Sequence, residues 1–320
     1  MSTNRKEEYT IAVAIATHNR KQLLQRTLES IAQEKLPVCF KGVWVVENGE
    51  KCGVRAICES FSKMIPIIYA YEKNALKAAA LNRIMSNINV DFIVFTDDDV
   101  RFSGRTLAAY DDVINKYGKG HFFGGPVLPD YERRPDPRFA PFLPASVRGF
   151  KLFVKDNKKD FIITPQIFLG ANWGAFTEDI KFNTGFNVLI QEREMWGHVE
   201  TEMEEKLIKA GCDSVYIVDA LVYHYVPKGR CSFKWLTLRK YRQHHVLGKQ
   251  KALDRASRNK AVILFGCPRW MIRMLMETIF AIIGDYIFFK SDKKKIKDIL
   301  DYYKYKGFIH GFRKGFLKGK

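Results

Sequence analysis

The sequence predicts an α/β fold, a mostly parallel sheet flanked by helices, followed by a basic, amphipathic helical extension. Three observations predict it. Short apolar runs alternate with helix-period segments over the first two-thirds of the chain, the pattern of βαβ units. One of those runs, Phe92-Ile93-Val94-Phe95, stops at three adjacent carboxylates, Asp97, Asp98 and Asp99. From Lys228 the composition changes, and basic residues interleave with aromatic ones.

The elements follow in order. Residues 9–16 read as a first buried strand and residues 21–33 as a helix, with Leu23, Leu24, Leu28 and Ile31 at helical spacing. Thr17-His18-Asn19-Arg20 therefore falls at a strand-to-helix turn. Free N–H groups and the positive end of the helix dipole suit a phosphate or another polar ligand there. On the residues alone, simple capping by Thr17 or Asn19 is the alternative. Residues 42–47 read as a second strand ending in the turn Glu47-Asn48-Gly49. A helix over 55–64, a strand over 65–71 and an alanine-rich helix over 75–87, preceded by Asn74, lead to the strand that ends in the aspartates.

Residues 103–117 are a helix candidate. Residues 124–144 are loop-like, opening on Gly124-Gly125-Pro126 and carrying Pro129, Pro135, Pro137, Pro141 and Pro144. A proline-rich segment of that length inside a compact domain is often a lid or a binding loop. A strand-like run from Phe161 ends at Phe176 and holds Gly170-Ala171-Asn172-Trp173. Residues 196–209 read as a helix entry and helix with Glu200, Glu202, Glu204 and Glu205, residues 214–225 as β-like, and residues 261–289 as a basic amphipathic helix.

Composition bounds the function. At 320 residues the chain can bury a large core, and 47% hydrophobic residues exclude a disordered chain. A formal charge of +18 implies an anionic partner: nucleic acid, anionic lipid or a phosphorylated substrate. The six cysteines form no Cys-x-x-Cys pair and read as free thiols in a reducing compartment. The polar first residues predict no secretory signal, and no apolar run reaches spanning length. The lysines and aromatic residues of the last third are what an anionic membrane surface attracts. They would also suit nucleic acid, and a solvated basic helix packed on the core is the plain alternative.

Three carboxylates at the end of a buried strand repel one another unless solvent or a cation neutralises them. Hard divalent cations take oxygen ligands, and the carboxyl ends of strands in an open α/β sheet are where ligands bind. A metal–diphosphate site is one reading; a solvated turn with one Asp capping the next helix is the other.

In order along the chain, these pieces resemble the inverting glycosyltransferases of family 2, of GT-A fold and bacterial surface-polysaccharide type, over roughly residues 10–227. Thr17-His18-Asn19-Arg20 resembles the family's P-T-Y-N-R turn, and Val45-Val46-Glu47-Asn48-Gly49 its V-D-D/N-G-S, with Glu47 in place of Asp. Residues 74–82 resemble N-x-G…A-R-N, although Leu76 stands for the Gly and Leu81-Asn82-Arg83 for Arg-Asn. Asp97-Asp98-Asp99 matches the D-x-D element. Gly170-Ala171-Asn172-Trp173 resembles G-x-N-M, Glu200-Thr201-Glu202 resembles E-D-x-D/E-L with Val199 where an acid is usual, and Val222-Tyr223-His224 resembles the V-Y-H ending.

The resemblance implies a Rossmann-like GT-A domain over residues 1–227 and a membrane-associating helical extension over 228–320. It implies a metal-dependent transfer of a sugar, with inversion, from a nucleotide-diphosphate sugar (a UDP-sugar favoured) to a hydroxyl of a glycan or lipid-linked acceptor. Thr17, Asn19, Arg20, Glu47, Asn74, Asn82, Asp97 and Asp98 would bind the donor. Asp99, Asp97 and His224 would hold Mn²⁺ or Mg²⁺. Glu200 or Glu202 would be the general base, and Gly124, Gly125, Asn172 and Trp173 would face the acceptor. The setting implied is cytoplasmic and peripheral, at the inner face of the cell membrane, with a membrane favoured over nucleic acid as partner. A non-catalytic GT-A scaffold binding a membrane surface or nucleic acid is the competing reading, and a nucleotidyltransferase is disfavoured because Thr17-His18-Asn19-Arg20 is not a Gly- and Arg-rich phosphate loop.

Overall fold

The computed structural model describes residues 9–152, 159–163, 166–189, 199–254 and 262–318. Strands β1 (Ile11–Thr17), β2 (Phe40–Asn48) and β4 (Phe92–Asp97) carry apolar runs and are buried at most positions. That pattern suits strands covered on both faces. Ile11, Val13, Ile15, Val43, Val45, Phe92 and Val94 point into one core layer. Ala12, Ala14, Val46, Ile93 and Phe95 point into the other. The two-residue period of a strand divides them.

Helices α1 (Lys21–Ala32), α2 (Val54–Phe61) and α3 (Lys77–Met85) connect β1, β2, β3 (Ile67–Glu72) and β4. After β4 come β5 (Val100–Phe102), α4 (Thr106–Tyr117), β6 (His121–Gly124), β7 (Val127–Tyr131), α5 (Ala145–Arg148) and β8 (Asp160–Ile162). Then follow β9 (Trp173–Phe176), α6 (Thr177–Phe182), α7 (Val199–Lys209), β10 (Asp213–Ile217) and β11 (Val222–Val226). The main sheet has eight strands in the order β3-β2-β1-β4-β9-β6-β10-β8. The pairs β3–β2, β2–β1, β1–β4 and β6–β10 are parallel, while β9 and β8 pair antiparallel to their neighbours. This is the mostly parallel, helix-flanked sheet that the sequence predicts.

Register positions the site. Thr17 lies opposite Glu47, and Ala16 opposite Asp97, so the carboxyl ends of β1, β2 and β4 finish side by side. A three-stranded sheet, β5-β11-β7, brings His224 opposite Val100, immediately after the three aspartates.

The chain divides into two compact units, Met1–Asp130 with Gly149–Tyr225, and Tyr131–Arg148 with Val226–Lys320. The second is largely helical: α8 (Phe233–Leu253), a hairpin of β12 (Ile263–Leu264) and β13 (Cys267–Pro268), α9 (Arg269–Ile287) and α10 (Asp292–Lys318). Glycines set the approach of α8 and α10. A Cβ at Gly307, Gly311 or Gly315 would overlap the carbonyl oxygen of Tyr241, His245 or Lys249, in that order, and one at Gly248 would overlap that of Phe308. Tyr305, Phe308, Ile309 and Phe312 of α10 gather with Ala252, Cys267 and Met271 into that unit's own core.

Several expectations need correction. The run over 161–176 is two short strands, β8 and β9, which pair with different neighbours. Residues 214–225 are also two strands, β10 and β11, and they belong to different sheets because the chain turns at Asp219–Leu221. The proline-rich stretch holds β7 and a 3₁₀ turn at Ala140–Phe142, and α5 follows it directly. The predicted helix over 261–289 begins as a hairpin, since Pro268 occupies the N-cap position of α9. Residues 196–198, at the predicted helix entry, and residue 261 lie outside the described residues. All six cysteines are free thiols.

The glycine approach yields a test. Gly311→Ala should lower stability by about 1–3 kcal/mol, the usual cost of overfilling a packed contact, read as a drop in the melting temperature of the full chain. An unchanged melting temperature would contradict this packing.

Candidate active site

The site is assembled at the carboxyl ends of β1, β2 and β4. Three successive aspartates there are tolerable because each is paired or hydrogen-bonded. Asp97 accepts a charged hydrogen bond from Lys77. Asp98 accepts from the Thr17 hydroxyl at 2.7 Å and from Arg20 at 3.2 Å. Asp99 accepts from Arg20 at 3.0 Å and lies 3.2 Å from Nε2 of His224. Helix α1 fixes the backbone of the turn: the Thr27 hydroxyl donates to the Asp98 carbonyl at 2.9 Å and accepts from the Val100 amide at 3.2 Å.

These partners account for the protonation energetics. Burial and the neighbouring charge of Asp99 push the Asp98 carboxyl up to about 6, against the pull of Arg20 and Thr17. Burial also works against ionised Asp97, yet Lys77, then His224, hold it below the ordinary carboxylate range. Burial alone would lower Lys77, but Asp97 and Glu200 hold its ammonium well above the ordinary lysine value. Arg20 is likewise raised by Asp98 and Asp99 despite its burial.

The second carboxylate system comes from α7. Glu200 is buried, with Gly170 so close that a Cβ there would sit 2.8 Å from the carboxylate carbon. Its carboxylate pairs with Lys77, so one ammonium joins Asp97 to Glu200. Glu202 instead pairs along the helix with Lys206 at 3.1 Å. One turn beyond Glu200, Glu204 is fully buried and accepts the Phe168 amide at 3.1 Å. Burial, then the charge of Glu200, pushes its carboxyl well above the ordinary range.

Among the described residues, Asp97, Asp99 and His224 form the group that could hold a metal, each offering a ligand atom, all within 4.8 Å of one another. Two carboxylates and an imidazole suit Mn²⁺, or Mg²⁺ completed by water and phosphate oxygens. The donor set therefore fits the cation implied by the sequence.

Other expected donor-side residues divide. Thr17 and Arg20 spend their side chains on the aspartates, so neither caps α1, whose N-cap is Arg20 without a side-chain bond. Asn19 is exposed at the turn with a left-handed φ of 56°. Glu47 is buried and accepts from the Tyr69 hydroxyl at 2.6 Å and the Cys52 amide at 2.5 Å. Burial opposes its ionisation, but those bonds hold it below the ordinary value. Asn74 is exposed after β3. Asn82 is turned elsewhere: its amide donates to the Phe186 carbonyl at 2.7 Å and accepts from the Phe186 amide at 2.8 Å, so both ends are used in bracing that segment.

The residues expected on the acceptor side are turned into the interior. Trp173 is fully buried in β9 and stacks on Phe95 at 4.7 Å, so its ring is part of the core. Asn172 is buried, donating to the Pro126 and Ala220 carbonyls and accepting from the Tyr110 hydroxyl at 2.9 Å. Gly124 and Gly125 are small because Phe168 and the Ala220 carbonyl fill the space a side chain would need.

Lys77 escaped the sequence reading. The signal was present: it is the only charged residue between Lys73 and Arg83, at the start of an alanine-rich helix.

A family model described as glycosyl transferase family 2 matches residues 12–173. The uncharacterized glycosyltransferase YfnE of Bacillus subtilis is 29% identical over 111 residues, 34% of this chain and 26% of its own length. An uncharacterized glycosyltransferase of Mycoplasma pneumoniae is 27% identical over 110 residues, 33% of this chain and 37% of its own. The matched stretch thus spans well under half of either relative. Among solved structures, the mannosyltransferase PcManGT from Pyrobaculum calidifontis, in complex with GDP-Man and Mn²⁺, superposes with a TM-score of 0.53 at 16% identity, over 92% of this chain and 86% of its own. TarS 1-349 of S. aureus, in complex with UDP-GlcNAc, gives 0.54 at 13% identity, over 93% and 90%. At such identities the likeness speaks for the shared GT-A fold.

The placement of Asn172 predicts a stability phenotype. Asn172→Ala should cost about 1–3 kcal/mol, the penalty for leaving buried polar partners unmatched, seen as a lower midpoint in chemical denaturation. A midpoint equal to wild type would contradict its role as a buried brace.

Proposed function

Because the chain belongs to glycosyl transferase family 2, we propose that this glycosyltransferase performs a metal-dependent, inverting transfer from a nucleotide-diphosphate sugar, with Glu200 as the general base. The observation that carries the reading is the convergence of Asp97, Asp99 and His224 at the strand ends, with Glu200 joined to Asp97 through Lys77.

A nucleotide diphosphate is a leaving group that gathers negative charge as the glycosidic bond breaks. Asp97, Asp99 and His224 would hold a divalent cation, which when bound supplies compensation for that charge. Mn²⁺ bound by PcManGT supports that choice, with Mg²⁺ as the alternative. Asp98 is buried and engaged by Thr17 and Arg20, so its part is to fix the turn on the donor side. Asn19, Asn74 and Glu47 lie at or beside the ends of β1, β3 and β2 and would meet the nucleotide. A UDP-sugar is the favoured donor; UDP-GlcNAc in TarS supports it and GDP-Man in PcManGT is the other class.

The acceptor hydroxyl must lose its proton as it attacks. Glu200 would take it, and its pairing with Lys77 holds that carboxylate in place. Glu202, engaged with Lys206 along its own helix, is the weaker candidate. A direct displacement needs one base, and it proceeds with inversion. The acceptor proposed is a glycan or a lipid-linked glycan at the cytoplasmic face of a membrane. Residues 1–227 would act as the GT-A catalytic domain and residues 228–320 as the membrane-associating extension. No helix among the described residues is long and apolar enough to cross a membrane, so that attachment would be peripheral.

Two substitutions separate the carboxylates. Glu200→Gln should lower kcat about 10²-fold or more, the range for loss of a general base, with nucleotide binding retained. Glu202→Gln should stay within about threefold of wild type, as expected for an i,i+4 helix pair worth a few tenths of a kcal/mol. Donor turnover with and without Mn²⁺ provides the assay, and a Glu200→Gln variant as active as wild type would reject the assignment.

A further inference from the structure

The formal charge of the protein is entirely carried by its last third. Residues 228–320 contain 24 Lys and Arg against 6 Asp and Glu, whereas residues 1–227 contain 29 of each. The same stretch carries a continuous apolar stripe exposed to solvent. On α9, Met276, Phe280, Ile283 and Ile287 recur at helical spacing on one face, and all are about half exposed or more. The opposite side of that helix, with Met271, Thr278 and Asp285, is buried. Arg269 and Arg273 precede the stripe, and Lys290, Lys293 and Lys297 follow it, all exposed.

Both ends of the helix carry a second sign. The hairpin before α9 turns through Phe265 and Gly266, with φ of 50° and 70°. A two-residue turn with both φ positive normally takes Asn, Asp or Gly first; here it is a phenylalanine, 77% exposed. Beyond the helix, the Lys290 amide donates to the Asp285 carbonyl at 3.0 Å, closing the helix end around Phe289. Phe289 has a φ of 47°, in the position glycine usually fills, and is 90% exposed. Neither placement serves folding, since each puts a bulky aromatic ring in water on an unfavourable backbone. Each makes sense if the ring leaves water when the protein meets its partner.

We infer that α9, with Phe265 before it and Phe288 and Phe289 after it, is the face that this protein inserts into the headgroup–acyl boundary of an anionic bilayer. The inference deepens the membrane-surface reading above and rests on it. The helix lies in the plane of the interface: Met276, Phe280, Ile283 and Ile287 enter, and the flanking arginines and lysines meet anionic headgroups. Charge complementarity selects this occupant over a second copy of the chain. A symmetric pairing through α9 would bring two strongly basic units together, whereas an anionic surface neutralises them.

The test is flotation of the full chain with vesicles of phosphatidylcholine, alone or with about a third phosphatidylglycerol, at low and physiological salt, since a Debye length near 8 Å leaves part of the attraction in place at the latter. Wild type should float with the anionic vesicles and far less with the neutral ones. Phe280→Glu/Ile287→Glu should bind at least tenfold more weakly while keeping the wild-type melting temperature and nucleotide binding. If that variant does not fold, Phe288→Ser/Phe289→Ser serves in its place. Wild type and variant floating equally would overturn the assignment of this face and leave the membrane reading standing. No flotation of wild type at low salt would overturn both. Reversible self-association without vesicles, abolished by the variant and accompanied by no flotation, would overturn the assignment in favour of a second copy.

Discussion

Neutralising three consecutive carboxylates at the end of one buried strand is the constraint on which the catalytic unit depends. Left together in a low-dielectric setting, three like charges would repel one another and oppose folding. The chain answers with partners for each, one of them shared: Lys77 for Asp97, Thr17 and Arg20 for Asp98, and Arg20 and His224 for Asp99. Those partners come from β1, the turn after it, α3 and β11, elements far apart in sequence. Parallel register between β1, β2 and β4, and the antiparallel pairing of β11 with β5, bring them to one place. Much of the topology around the sheet can be read as the means of supplying countercharge to one turn.

Lys77 has a second consequence. Because it pairs with both Asp97 and Glu200, the aspartate turn and α7 share one cation. The proposed base, Glu200, is thereby tied to the aspartate turn rather than held on α7 alone. Gly170 against Glu200, and Glu204 holding the Phe168 amide, keep the 168–172 loop seated on the same helix.

The βαβ order, the aspartate turn and the strand-ending position of His224 were legible in the sequence, whereas the bonds of Thr17 and Arg20 to the aspartates were not. Each legible feature depends on local pattern: an apolar run that stops at charge, a polar turn after a strand, a histidine closing a strand. The acceptor side was not legible. Asn172, Trp173, Gly124 and Gly125 sit in motifs that look alike whether their side chains face a substrate or the interior. The strand period allows either, and tertiary packing decided for the interior. Asn82 was misread for the same reason, since its hydrogen-bond partner is the distant Phe186. Lys77 was missed because a lone lysine on a helix is ordinarily solvent-facing, and its partners lie 20 and 123 positions away in the chain. In the second unit, the basic and aromatic composition was plain, but the glycine-lined approach of α8 to α10 and the exposed rings at the ends of α9 required the structure.

The central claim is that the aspartate turn and His224 form a metal-dependent donor site. Isothermal titration with UDP, GDP and dTDP, each with and without Mn²⁺, on wild type and on Asp99→Ala, tests it most directly. The account predicts binding of one nucleotide class that requires Mn²⁺ and is lost in the variant. Failure of all three nucleotides to bind wild type under either condition, or binding by Asp99→Ala that still depends on Mn²⁺ as in wild type, would contradict it.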